Sequence, residues 1–171
     1  MGGSHVQKFY ATTIWFNDVF LKVYATERGL SFISTTDSDK TLSQLIPETV
    51  TIEENEAYLT TYLQELRQYF NGTRQAFEFA IDMDYQYTEF QRQVWAQLLK
   101  IPYGETRTYS EVATAIGKPK AIRAVATAIA KNPLLIVIPC HRVIGKDGQL
   151  RGYRGGERMK ERLLAIEKGQ K

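Results

Sequence analysis

The sequence predicts a two-domain α+β/α protein: an antiparallel sheet with a helix, then a mainly helical unit carrying a helix-turn-helix. Strand-type runs crowd residues 10–34, while helical spacing of apolar residues dominates from residue 88 onward. The charge divides at the same place. Residues 1–83 hold 6 Lys and Arg against 11 Asp and Glu, and residues 84–171 hold 16 against 8. The expected domains are therefore 1–84, sheet-rich, and 88–171.

Residues 10–16 and 19–26 are rich in β-branched and aromatic side chains, with the turn dipeptide Asn17-Asp18 between them. Gly29 precedes a third strand at 30–34, giving a meander. A helix is expected over 53–70, with Tyr58, Tyr62, Leu66 and Tyr69 on one side and Asn71-Gly72 as its stop. Residues 77–83 alternate Phe77, Phe79, Ile81 and Met83 with polar or small neighbours, the pattern of a further half-buried strand. After a linker at 84–87, Thr88 caps a helix with Phe90, Val94, Trp95, Leu98 and Leu99 on one face, ended by Pro102-Tyr103-Gly104. Helices at 110–116 and 120–131 flank Gly117-Lys118-Pro119, residues 134–138 read as a fully buried strand, and 157–168 form a last helix.

The bulk properties exclude several classes. No apolar run approaches the roughly 20 residues that span a bilayer, and the leader Met1-Gly2-Gly3-Ser4-His5 reads as a cloning remnant rather than a signal peptide. One cysteine cannot close an internal disulfide, and two histidines cannot supply a typical structural zinc site. A reducing cytoplasmic setting is expected, with no membrane, no metal and no cofactor. The basic half is expected to meet a polyanion.

The helix pair is the candidate contact. On the second helix Ile122, Val125 and Ile129 share a face suited to the core, while Arg123, Ala124, Thr127, Ala130, Lys120 and Lys131 lie opposite. Small side chains let a helix backbone press into a groove, and cations answer phosphates. Arg123, long among short neighbours, is either a wedge for a base stack or a plain surface arginine.

The reactive candidate is Cys140, in Pro139-Cys140-His141-Arg142-Val143 at the end of the apolar run. A thiolate is the nucleophilic form, and the neighbouring His141 and Arg142 are expected to lower the thiol pKa from roughly 8.5. His141 can take the proton directly or through water. Glu167, on the last helix beside Leu163, Leu164 and Ile166, is favoured as the group that orients the imidazole; the plainer reading is a solvated helix-end acid.

These residues resemble the O6-alkylguanine-DNA alkyltransferases, also called methylated-DNA–protein-cysteine methyltransferases. The likeness spans about residues 88–168 and takes in Ile101-Pro102-Tyr103-Gly104-Glu105-Thr106, Tyr109-Ser110, Arg123-Ala124-Val125, Asn132-Pro133 and Gly152-Tyr153-Arg154-Gly155-Gly156. The resemblance implies a ribonuclease H-like N-terminal half and direct-reversal repair of double-stranded DNA containing O6-alkylguanine, after base flipping. Cys140 would accept the alkyl group irreversibly, once per molecule, and His141 with Glu167 would deprotonate it. Tyr109 would donate to the leaving guanine. Arg123 would fill the gap in the stack, with Ser110, Ala124, Thr127, Ala130 and Lys131 along the DNA. Asn132 would be a hinge, and Val143, Tyr153 and Arg154 would line the guanine pocket. A monomer is expected. Some members bind zinc in the N-terminal half, but no cysteine stands there in this chain. Arg154 replaces a smaller polar residue, which puts acceptance of bulky alkyl groups in question. Two rivals make different predictions: a non-catalytic alkylated-DNA-binding module binds without transfer, and a cysteine hydrolase turns over many equivalents.

Overall fold

Alternation of β-branched and aromatic residues drives β1 (Gln7–Phe16), β2 (Val19–Thr26) and β3 (Gly29–Ser34) into the expected antiparallel meander. The computed structural model describes residues 7–45, 50–150 and 152–169; the leader at 1–5 lies outside them. Asn17 turns the first hairpin at φ 56°, a left-handed conformation that asparagine tolerates. A fourth strand, β4 (Val50–Glu54), joins β1 in parallel, so the sheet order is β3-β2-β1-β4.

That strand corrects the expected helix over 53–70. Glu53 and Glu54 pair with Tyr10 and Ala11 in the sheet, a 3-10 turn covers Ala57–Leu59, and α2 runs only over Thr60–Phe70. Val50 and Ile52 start a strand along the open edge of β1, and Glu53 and Glu54 continue it. The buried face of this segment is Leu59, Leu63, Leu66 and Tyr69. Tyr58 is 40% exposed and stacks on Tyr10, with ring centroids 3.8 Å apart. A short helix, α1 (Lys40–Leu45), was not expected; its Leu42 joins Phe9, Ala11, Tyr24 and Phe32 in a small second core.

Residues 77–83 keep their alternation but form no strand. Ile81 alone bridges Leu30, through Leu30 N–H to the Ala80 carbonyl (3.0 Å) and Asp82 N–H to the Leu30 carbonyl (2.8 Å). The edge of β3 is shared. At its far end Ile33 N–H donates to the Pro133 carbonyl (2.9 Å) and Ile33 bridges Leu134. Gly29 permits the first approach, since a Cβ there would stand 2.6 Å from the Ala80 oxygen.

In the second half, α3 (Glu89–Leu98) begins with the capping box Thr88–Gln91 and buries Val94, Trp95 and Leu98; Leu99, past its end, is 51% exposed. Helix α4 (Tyr109–Ala115) starts at Thr108, which forms a second capping box with Glu111. Gly117, at φ 77°, turns the chain toward α5 (Ile122–Ala130). The buried side of α5 is Val125, Ala128 and Ile129, while Ile122 is 41% exposed, contrary to expectation. Trp95 Nε1–H donates to the Ala128 carbonyl (2.9 Å), fixing α5 on α3. The final helix, α6, spans Glu157–Glu167. One continuous core cluster runs from Leu21 and Ile33 in the sheet to Leu134, Cys140 and Leu163. Among the described residues, no helix is long and apolar enough to cross a membrane.

The apolar run 134–138 is buried except for the half-buried Val137, and it is a turn and not a strand. Ile138 N–H returns to the Leu134 carbonyl (2.9 Å), and Ile136 holds φ 76°, a strained conformation for a β-branched residue. A strand would have carried the chain onward. The turn doubles it back, so that the following residues face the C-terminal helix.

Candidate active site

Cys140, His141 and Arg142 form a single 3-10 turn inside the protein, exposed by 3%, 0% and 8%. Two devices hold that turn. Upstream, Asn132 is buried, donates Nδ2–H to the Ile138 carbonyl (2.8 Å) and accepts from Leu134 N–H (2.9 Å). Downstream, β6 (Val143–Ile144) pairs in parallel with β5 (Arg107–Thr108). Because Tyr109 follows β5 directly, this small sheet sets the start of α4 beside the exit of the cysteine turn.

Glu167 is the centre of the polar array. Its Oε2 accepts from His141 Nε2 (2.6 Å), Tyr69 OH (2.5 Å) and Arg142 Nη2 (3.1 Å). Its Oε1 accepts from Arg142 Nε (2.8 Å) and Gly104 N–H (3.2 Å). Burial alone would raise this carboxyl, but the hydrogen bonds from His141 and Arg142 outweigh it and hold Glu167 at about 2. Burial lowers the His141 imidazole, which is neutral near pH 7. A neutral ring facing an ionised carboxylate carries its proton on Nε2. Nδ1, buried and without a hydrogen-bond partner among the described residues, is then the basic nitrogen.

The thiol departs from expectation. Burial pushes Cys140 above its ordinary value, against the downward pull of a hydrogen bond with Asn132 and of the Arg154 and Lys160 cations. Arg142 cannot play the part its sequence position suggested, because its guanidinium is spent on Glu167 and on the Ile101 carbonyl (2.7 Å). A nucleophile here depends on a base at the moment of reaction, not on a standing thiolate.

Two cations near the thiol come from further along the chain. Lys160 is 1% exposed and donates to the Val143 carbonyl (2.5 Å). Arg154 donates Nη2–H to the carbonyls of Asn132 (2.8 Å) and Ile33 (3.0 Å), and lies over the Phe32 ring at 5.1 Å. These bonds clamp the turn to the sheet. Val143 and Tyr153 are buried. Tyr109 is half-buried and lines a cavity of about 320 Å³ with Gly145, Asp147, Gln149 and Gly152. Burial raises the Tyr109 hydroxyl, with the neighbouring Cys140 adding to it. A roomier cavity, about 1020 Å³, lies where α2 and α6 end and meets the array through Glu167 and Tyr103.

On the helix pair, Ser110, Arg123, Ala124, Thr127, Ala130 and Lys131 are all exposed, so the small-and-cationic face is on the surface. Thr127 Oγ1–H is returned to the Arg123 carbonyl (3.0 Å). Sequence reasoning missed Tyr69 and Lys160. Tyr69 had a faint signal, a tyrosine on the apolar side of a helix; Lys160, among Arg158, Glu161 and Arg162, had none.

Comparison with known proteins gives consistent matches over both halves. Residues 89–169 match the DNA binding domain of 6-O-methylguanine DNA methyltransferase, and residues 10–83 match its ribonuclease-like domain. The inducible methylated-DNA–protein-cysteine methyltransferase of Bacillus subtilis is 41% identical over 166 residues, 93% of this chain and 90% of that protein. The corresponding methyltransferase of Methanosarcina barkeri is 48% identical over 114 residues, 67% of this chain and 71% of that one. The crystal structure of the Mycobacterium tuberculosis O6-methylguanine methyltransferase superposes with a TM-score of 0.79 at 34% identity, covering 95% of this chain and 94% of that chain. Mycobacterium tuberculosis OGT in complex with DNA superposes with a TM-score of 0.78 at 36% identity, covering 95% and 93%.

Proposed function

Because the chain belongs to the 6-O-methylguanine DNA methyltransferase family, we propose that it repairs O6-alkylguanine in duplex DNA by moving the alkyl group onto Cys140. The observation that carries this reading is the buried array Cys140, His141 and Glu167, with His141 Nδ1 left as a base.

The basic half supplies affinity that does not depend on sequence, and the face of Arg123, Ala124, Thr127, Ala130 and Lys131 lies along the duplex. A thiol 3% exposed cannot reach a base inside a stack, so the lesion leaves the helix and Arg123 takes its place. The cavity beside Tyr109 lies within the roughly 300–1,000 Å³ usual for small-molecule sites and receives the flipped base. His141 Nδ1 removes the thiol proton, and Glu167 stabilises the imidazolium that forms. The sulfur then attacks the alkyl carbon in line. An S–C bond forms, the C–O6 bond breaks with its electron pair going to guanine, and Tyr109 OH hydrogen-bonds or protonates the leaving base. The product thioether has no proton to give and no easy leaving group, so one monomer acts once. Asn132 acts as the hinge between α5 and the cysteine turn.

Intact-protein mass spectrometry after mixing with a duplex holding one O6-methylguanine tests the reading. The expected result is a gain of about 14 Da on Cys140, saturating at one equivalent. Tight binding to the same duplex with no mass gain would leave a lesion-binding module, and repeated turnover would leave a hydrolase.

A further inference from the structure

We propose that Tyr69, on α2 of the sheet domain, is a positioning residue for the His141–Glu167 relay and makes alkyl transfer depend on docking of the two halves. The inference rests on the reading of Cys140 as alkyl acceptor and adds a residue to its machinery.

Tyr69 stands in the last turn of α2, 1% exposed, more than seventy positions before the cysteine. Its ring is held on three sides by Phe70, Phe77 and Tyr103, with centroids 5.7, 5.6 and 6.2 Å away. Packing of that kind needs only a phenyl group. The hydroxyl is an added, buried polar atom, and such atoms are retained where a partner satisfies them. Its partner is Glu167 Oε2 at 2.5 Å, with His141 Nε2 3.4 Å away.

The choice of oxygen matters. Arg142 Nε and Gly104 N–H hold Oε1, while Oε2 accepts the hydrogen bond of the imidazole Nε2–H, with Arg142 Nη2 also on it. Tyr69 therefore restrains the oxygen that orients the base. Of the donors to this carboxylate among the described residues, His141, Arg142 and Gly104 belong to the C-terminal half and Tyr69 comes from the sheet domain. Burial and the Glu167 charge keep the phenol protonated, so it donates throughout the working pH range. Without it, Oε2 keeps only Arg142 Nη2 beside the imidazole, and the carboxylate that orients the ring is held less firmly. Hydrogen bonds to a charged group inside a low-dielectric site carry more weight than exposed ones.

The charged and titratable groups facing the relay are Arg142 from the cysteine turn, Lys160 from α6, Tyr103 from the loop after α3, Tyr153 from the loop before α6, and Tyr69. Removing the phenol hydroxyl takes one donor from the carboxylate, and the less-satisfied anion then favours protonated His141. The acid limb of the transfer rate moves to higher pH.

The test compares Tyr69→Phe with the unaltered protein, using single-turnover transfer from an O6-methylguanine duplex between pH 5 and 9. Binding of the duplex and thermal stability are measured alongside. The proposal expects a roughly tenfold slower transfer on the plateau, an acid limb displaced upward, and unchanged duplex affinity. Phe77→Leu, which loosens the packing on the ring but keeps the hydroxyl, should lower the melting temperature and leave the acid limb in place. A Tyr69→Phe protein that transfers within twofold of the unaltered one, with its acid limb unmoved, would overturn the proposal. So would a Phe77→Leu protein that reproduces the displaced limb, because packing would then explain it. If the unaltered protein gains no mass on Cys140, the reading of the site itself fails, a result distinct from either.

Discussion

Asn132→Ala is the sharpest test of how the cysteine turn is built. The side chain accepts from Leu134 N–H at 2.9 Å and donates to the Ile138 carbonyl at 2.8 Å, bracing a turn whose Ile136 sits at φ 76°. Alanine leaves the buried Leu134 N–H with no acceptor, a loss of about 1–3 kcal/mol. The Ile138 carbonyl loses less, about 1 kcal/mol, because Cys140 N–H still reaches it at 2.7 Å. The sum is about 2–4 kcal/mol, or a fall in melting temperature of about 5–15 °C for a chain of this size. Urea unfolding followed by tryptophan fluorescence measures the first figure, and calorimetry the second. The thiol also loses the Asn132 hydrogen bond that pulls its pKa down, so reaction with iodoacetamide should shift to higher pH. A loss below about 1 kcal/mol would mean that the turn is held by its apolar packing and that the hinge assignment is wrong.

Glu167→Gln should cost about 3–5 kcal/mol, since the buried Arg142 would keep its charge and lose its counter-ion. The unaltered carboxyl is held at about 2 against an ordinary 4.5, so its contribution is complete above the unfolded value and is lost as pH falls from about 4.5 toward 2. Urea unfolding at pH 6 and pH 3 should therefore show the gap between the two proteins narrowing in acid; a constant gap would contradict the depressed carboxyl. Arg123→Ala, at an exposed position, should leave stability within about 0.5 kcal/mol and slow transfer from duplex DNA by tenfold or more. Transfer from the free modified base, which needs no flipping, should be unchanged, and equal losses on both substrates would remove the wedge role.

The pattern of apolar residues was enough to place β1, β2, β3, α3 and α6 within a residue or so, apart from the early start of β1 and the end of α3, which stops at Leu98, short of Pro102. Each has strong periodicity and its own stop signal, such as Asn17-Asp18 or the Thr88 cap. The same local signal misled where a distant partner decided the outcome. Residues 53 and 54 joined a strand because β1 offered an open edge, and 77–83 did not form one because the edge of β3 was divided between Ile81 and Leu134.

The sequence by itself determined the chemistry available: a single cysteine, one histidine beside it, and a basic helix pair with a small-residue face. Only the tertiary structure decided how that chemistry is arranged. The apolar run before Cys140 is a turn because Asn132 captures its backbone groups at both ends, and the edge of β3 holds its start through Ile33, a partner that no local window contains. The thiol is raised and not lowered, because burial is a property of the whole core and adjacency in the chain says little about it. Arg142, next to the cysteine, serves Glu167, while Arg154, Lys160 and Tyr69 reach the site from afar. Electrostatic and hydrogen-bond energies fall off with distance in space, and chain separation does not enter them.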